Sequence, residues 1–262
     1  FFFYCECFEM IMDFVLPFMG SPHWLKNPHL RARLAECLEC LLPHHELQGS
    51  SGFSLKFNRE RIFTEYKFRL EIIPCILNVF VNIENTGQAV EFEMKFNYRR
   101  PMFEILKYVW EMEDYRAKMI QLANHAAEHI LDEIPPLFLR FVNLLVNDAI
   151  FLLDEALNYM KQIQEEQAEK PQWDDLPPNE RTNRQSQYMH IGRLARYHNI
   201  MGLDNIKMLD MLTKEIAAVF THSTMVDRIA AMLNYFLKNL VGPERKSFKV
   251  QNLEEFAFRP AE

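Results

Sequence analysis

The stretch FLRFVNLLVNDAIFLLDEALNYMKQIQEEQ, residues 138–167, decides the fold. At about 100° per residue, Arg140, Asn143, Asn147, Asp154, Asn158 and Lys161 fall on one narrow stripe, with Asp148 and Glu155 at its edge. Apolar side chains fill the larger remaining arc, and neither glycine nor proline interrupts the period. A helix this apolar must be packed by neighbours on more than one side. The run 136–169 is therefore expected to stand centrally in an all-α architecture.

Toward the N-terminus, Asn27-Pro28 ahead of HLRARLAECLECLL supplies an N-cap and a proline at the first helical position, predicting a helix that ends near Pro43. HHELQGSSGFS, residues 44–54, holds two glycines and no periodicity, so an exposed loop is expected, with the next helix from about Arg59. Leu70, Ile73, Leu77, Phe80 and Val81 recur at helical spacing, which predicts a helix kinked at Pro74 and stopped by Asn85-Thr86-Gly87. Residues 90–98, 101–113 and about 115–132 read as three further helices.

Toward the C-terminus, residues 165–180 count six acids against one base and three prolines, the composition of a linker inside the chain. Residues 181–203 contain four arginines and no acid, so this basic helix is expected to lie beside the acidic stretch before it. Two last helices span about 204–220 and 224–241. The second carries a Thr224/Asp227 capping pair, apolar residues at Val226, Ile229, Leu233, Phe236, Leu237 and Leu240, and a Gly242-Pro243 stop. The sum is nine or ten helices and no dependable strand. Such a set fits an irregular α-solenoid as well as a closed bundle.

Composition agrees with helices packed through large side chains: 262 residues carry 22 Phe and 14 Met but only 7 Gly. A formal net charge of -7 is not the footprint of a nucleic-acid binder. Arg181, Arg184, Arg193 and Arg196 with Tyr188 and Tyr197 are read as local charge pairing instead. The five cysteines, Cys5, Cys7, Cys37, Cys40 and Cys75, cannot pair completely and lack a secreted spacing, so a reducing cytoplasmic or nuclear compartment is expected. The opening FFFYCECFEMIMDFVLPFM has acids and no basic n-region, which argues against a signal peptide or membrane span. The chain is expected to be cut from a longer protein inside a helix.

Two patterns suggest metal chemistry. Cys37 and Cys40 with His44 and His45 offer zinc-ligand types, but they are expected to be ordinary thiols on or near a buried helix face. His125, Glu128 and His129 spell H-x-x-E-H, in which two histidines one turn apart could chelate a metal while the glutamate polarises water. A zinc hydrolase would also need a downstream carboxylate ligand and commonly a sheet. Solvent-facing histidines are the expected account. No Gly-rich phosphate loop or G-x-S-x-G is present, and Asp154 and Glu155 point about 100° apart rather than across a cleft. No catalytic, cofactor-binding or metal residue is assigned, and partner-binding residues are left open.

Residues 82–106 (NIENTGQAVEFEMKFNYRRPMFEIL), residues 138–167 with QWDDLP after them, residues 226–252 (VDRIAAMLNYFLKNLVGPERKSFKVQN) and residues 21–38 (SPHWLKNPHLRARLAECL) together resemble the core of the U-box ubiquitin chain elongation factors, also called ubiquitin conjugation factors. Within that family the chain resembles the vertebrate type A branch. The run Asn147, Asp148, Phe151, Leu152, Leu153, Asp154, Glu155 is its most specific part. The resemblance implies one elongated superhelix of armadillo-like repeats to which residues 1–262 contribute, which selects the solenoid over the bundle. It further implies a parent that elongates ubiquitin chains through a U-box docking a ubiquitin-conjugating enzyme, on ubiquitinated substrates, with the p97/Cdc48 unfoldase and proteasomal degradation downstream. The U-box has no counterpart here, so this segment is expected to be a scaffold; a pure adaptor without a part in ubiquitin transfer is the alternative.

Overall fold

The computed structural model describes residues 2–43, 50–85 and 89–258. The described residues form nine α-helices and no strand, so the fold is all-α. In order they are α1 (Phe2–Gly20), α2 (Pro28–Cys40), α3 (Ser50–Thr64), α4 (Ile72–Asn82), α5 (Ala89–Trp110), α6 (Glu113–Glu128), α7 (Leu137–Glu169), α8 (Pro178–Glu215) and α9 (Ser223–Leu240). Short 310 turns occupy Arg69–Glu71, Ile83–Asn85, Lys170–Asp175, Pro243–Phe248 and Leu253–Phe256. The chain divides into two compact units within α7, Phe1–Val142 and Asn143–Glu262.

In the first unit α4 is the core helix. Ile72, Ile73, Ile76, Leu77, Val79 and Phe80 are all buried, because α1, α2, α5 and α6 pack around it. Pro74 is the third residue of α4, not the site of the predicted kink: its missing N–H belongs to the first turn, which has no intrahelical acceptor. Gly20 lets α1 approach α4 closely, since a Cβ there would lie 2.4 Å from the Cys75 sulfur. Arg31 of α2, 1% exposed, closes the end of α1: its Nε donates to the Met19 carbonyl at 2.7 Å and Nη2 to the Gly20 carbonyl at 3.3 Å. These are carbonyls with no intrahelical partner, at the negative end of the helix dipole.

A second buried charge cluster ties α5 to the turn after α4. Lys95 and Arg99 of α5 donate to the Glu84 carboxylate at 2.9 and 2.7 Å, and Arg99 also lies 4.0 Å over the Phe80 ring. Burial alone would raise the Glu84 carboxyl, but the charges of Arg99 and Lys95 outweigh it and hold the group below its ordinary value.

Residues 90–98 and 101–113, expected as two helices, belong to the single helix α5 up to Trp110, with Pro101 inside it. The bond to the carbonyl four residues back is lost there. Phe96 on one side and Met102, Phe103, Ile105 and Leu106 on the other are buried and keep both halves on one core. Residues 50–54, expected in a loop, open α3; residues 44–49 of that stretch and residues 86–88 lie outside the described residues.

α7, which begins in the first unit and continues in the second, spans Leu137–Glu169 against the predicted 136–169. The acidic stretch 165–180 is occupied by the end of α7, a 310 turn around the buried Trp173, and the start of α8. The basic helix does lie beside it: Arg184 pairs with Glu166 at 3.0 Å and Glu169 at 3.6 Å, and Arg181 with Asp174 at 2.5 Å. No break occurs near residue 204. α8 runs 38 residues, because buried Met201, Met208, Leu209 and Leu212 continue the apolar face past Gly202.

Ile163, Trp173, Tyr188, Ile191, Ala195 and Phe256 form the core of this part. Tyr188 meets Trp173 and Phe256 edge-on, with centroids 5.7 and 4.9 Å apart. Gln167 holds the chain after α9 in place from both sides, donating to the Gln251 carbonyl at 2.7 Å and accepting from the Gln251 N–H at 3.1 Å.

Candidate functional site

The histidines of the H-x-x-E-H pattern stand at the end of α6. His129 is the C-cap of α6, its ring stacked on His125 at 4.5 Å, and its Nδ1 lies 2.9 Å from the exposed Asp132 carboxylate. Among the described residues no group of three or more His, Cys, Asp or Glu side chains is placed to hold a metal ion. Cys37 and Cys40 are exposed rather than on or near the buried face, which is instead Arg31, Ala32, Ala35 and Leu38. His44 and His45 lie outside the described residues. No described helix is long and apolar enough to cross a membrane.

The first unit has a cleft of about 610 Å³ between α1 and α4. Its walls mix apolar Leu16 and Phe68 with Asp13, Lys67 and Glu71, and Tyr66 donates to Asp13 at 2.6 Å across one side. Cys75 sits on the wall with its thiol bonded toward the Leu16 carbonyl, and burial pushes it up to about 11. That thiol stays protonated near neutrality and is a poor nucleophile.

The second unit presents a different surface, built by α9. His222, not the Thr224/Asp227 pair, caps this helix, accepting from the Thr224 N–H. On α9, Arg228 donates to Asn143 at 2.6 Å and also to Asn147, and Tyr235 donates to Asp154. The bond to Asp154, with burial second, pushes the Tyr235 hydroxyl up to about 12. α9 therefore meets the polar stripe of α7 with its polar residues. Its apolar residues at Val226, Leu233, Leu237 and Leu240 lie about 180° away from Arg228 and Tyr235 around the helix and are 41, 51, 59 and 50% exposed. Met225 and Met232 are buried and Ile229 and Phe236 half-buried, so α9 turns one flank of its apolar arc inward and leaves the other exposed. The period of α9 is legible in the sequence, but which flank of its apolar arc is covered is not.

This stripe ends at a pocket of about 490 Å³ that Leu240 helps to line. Leu153, Leu157 and Met160 of α7 give the pocket an apolar floor, and Phe248, Val250 and Phe258 close it from the chain after α9. Arg245, Lys246 and Lys249 also line it, with no carboxylate among the described lining residues. Nor is there a cysteine or histidine among these described residues; the pocket offers an apolar seat beside positive charge.

A family model described as the ubiquitin elongating factor core matches residues 4–262. The chain is 45% identical over 257 residues to the ubiquitin conjugation factor E4 A of Bos taurus, covering 97% of this chain and 24% of that protein. It is 32% identical over 256 residues to the ubiquitin conjugation factor E4 of Schizosaccharomyces pombe, covering 95% of this chain and 24% of that protein. It is 27% identical over 256 residues to the E4 ubiquitin-protein ligase UFD2 of Saccharomyces cerevisiae, covering 95% of this chain and 25% of that protein. The chain thus spans about a quarter of the length of these relatives.

Proposed function

Because the chain belongs to the ubiquitin elongating factor core family, we propose that it is part of the helical scaffold of a U-box ubiquitin chain elongation factor. The observation that carries this reading is the family match over residues 4–262. In this reading the helices form consecutive armadillo-like turns of a longer solenoid, and the acidic stretch 165–180 lies inside one core domain. Transfer of ubiquitin is the work of a U-box and its ubiquitin-conjugating enzyme elsewhere in the parent, not of side chains in this segment. The segment holds ubiquitinated substrates or the p97/Cdc48 unfoldase at a working distance from that module, in the cytoplasm or nucleus, and the product is a polyubiquitinated protein for proteasomal degradation.

Two features support a scaffolding rather than a catalytic part. Two buried charged contacts among the described residues join helices to each other: Arg31 closes the end of α1, and Glu84 pairs with Lys95 and Arg99 of α5. The relatives carry about three quarters of their length outside the matched region. The test is a reconstituted ubiquitination reaction with activating and conjugating enzymes and a ubiquitin-fused substrate, comparing the 262-residue chain with the full-length parent. Only the full-length protein is expected to build chains. Chain building by the 262-residue segment alone would refute the reading.

A further inference from the structure

We propose that α8 hinges at residues 202–205, exchanging between the straight helix and a form broken after Met201, in which Gly202 ends the first arm and Asp204 caps the second.

The first support is a glycine that packing does not require. α8 holds two glycines, Gly192 and Gly202. A Cβ at Gly192 would lie 1.9 Å from the Phe256 ring, so close packing accounts for that one. At Gly202 the nearest atom is the Leu152 Cβ at 3.6 Å, an ordinary contact, and the backbone is helical. Alanine would fit there, yet the position carries the residue that loses most conformational freedom in a helix. Two residues on stands Asp204. Glycine is the preferred residue just past a helix end and aspartate is a preferred residue at a helix start, so 202–204 spell a boundary inside one continuous helix.

The second support is buried polarity at the same place. His198, Gly202 and Asn205 share one face of α8 within about 60°. His198 is 0% and Asn205 1% exposed. His198 Nδ1 donates to the Leu194 carbonyl at 2.8 Å, while its Nε2 and the Asn205 Oδ1 are buried with no hydrogen-bond partner. A buried polar atom without a partner forfeits its hydration, which penalises the straight form where glycine already weakens it. A break at 202–205 lets Asn205 turn toward water or toward backbone groups freed there. Both arms are anchored beyond the weak link. Tyr188, Ile191 and Ala195 belong to the core with Trp173 and Phe256, and Met208, Leu209 and Leu212 are buried on the other side. A weak link between two packed arms bends, whereas fraying belongs to helix ends. The hinge lies within the second unit and lets residues 205–215 change direction while the aromatic core stays closed.

The test is amide hydrogen exchange read by mass spectrometry, with intrinsic rates divided out, on the 262-residue chain and on the full-length parent. A break after Met201 frees the N–H groups of residues 203–207 from their acceptors one turn back. These amides are expected to exchange at least about tenfold faster than those of 191–197 and 209–213, in both proteins. Gly202→Ala favours the straight form and should slow 203–207 by about fivefold, the equivalent of about 1 kcal/mol, while 191–197 stay within about twofold. Protection of 203–207 equal to that of both flanks would overturn the proposal. So would fast exchange at 203–207 that Gly202→Ala leaves unchanged, or slowing spread evenly along α8, which would make the glycine a matter of overall stability. Fast exchange in the 262-residue chain but not in the full-length parent would also overturn it, by assigning the opening to the loss of neighbouring helices.

Discussion

Gly192→Ala is expected to destabilise the second unit, although alanine is the better helix former. A Cβ at position 192 would lie 1.9 Å from Cδ1, 2.4 Å from Cε1 and 2.5 Å from Cγ of Phe256. A ring has no flexible end to swing aside, and Phe256 is only 3% exposed with Tyr188 against its edge. Replacing glycine inside a helix returns about 1 kcal/mol. Driving a phenylalanine out of its site forfeits up to about 3 kcal/mol of burial, and overpacking instead costs about 1 to 3 kcal/mol. The net loss is about 2 kcal/mol. In a Phe256→Ala background the obstruction is gone, and the same glycine replacement should stabilise by about 1 kcal/mol. The assay is urea unfolding with Trp24 and Trp110 changed to Phe, so that Trp173, in the same cluster as Tyr188 and Phe256, reports alone. Equal effects of Gly192→Ala in both backgrounds, or stabilisation in the Phe256 background, would refute the reasoning.

Three further outcomes are expected. Leu145→Pro, at a fully buried position of α7, should cost at least about 3 kcal/mol and lower the circular-dichroism melt; an unchanged melt would remove α7 from the core. Glu84→Gln removes the carboxylate to which buried Lys95 and Arg99 donate and should cost about 3 kcal/mol at pH 7, the low end for a broken buried pair, because Glu84 is itself 29% exposed. The folded pKa of Glu84 is lowered, so its contribution is full above the unfolded value of about 4.3 and fades as pH falls through the folded one; the gap between wild type and Glu84→Gln should close in acid urea titrations. Protein purified without chelator should hold well under one zinc per chain by elemental analysis, and a chelator should leave the melt in place; stoichiometric zinc lost on His129→Ala would reverse this.

The long periodic elements were legible because one period covers them. The polar stripe Asn143, Asn147, Asp154 located α7, and Asn27-Pro28 located the start of α2, whose Asn27 side chain accepts from the His29 and Leu30 N–H groups. Proline was the main source of error, since its cost depends on its turn. Pro74 falls in a first turn that needs no N–H, and Pro101 is overridden by apolar neighbours on both sides. Cys37 and Cys40 misled for another reason: near the apolar face of a pattern, a cysteine reads as core, whereas a shift of one residue from Leu38 turns Cys37 out to solvent. The α9 surface could not be read at all. Amphipathicity states that two faces differ, while the partner of each face is a matter of distant residues such as Asn143 and Arg228, 85 positions apart.

The segment after α9 has a consequence for trimming the protein. A fragment stopped at Leu240, where the last helix ends, would lose Phe256 and with it the second ring against Tyr188, together with the backbone that Gln164 and Gln167 hold. Trp173 and Tyr188 would then meet water, and such a fragment should be prone to clumping and quick to be cut by proteases. A durable boundary lies beyond Phe258, at the far side of the aromatic lock rather than at the end of the helix.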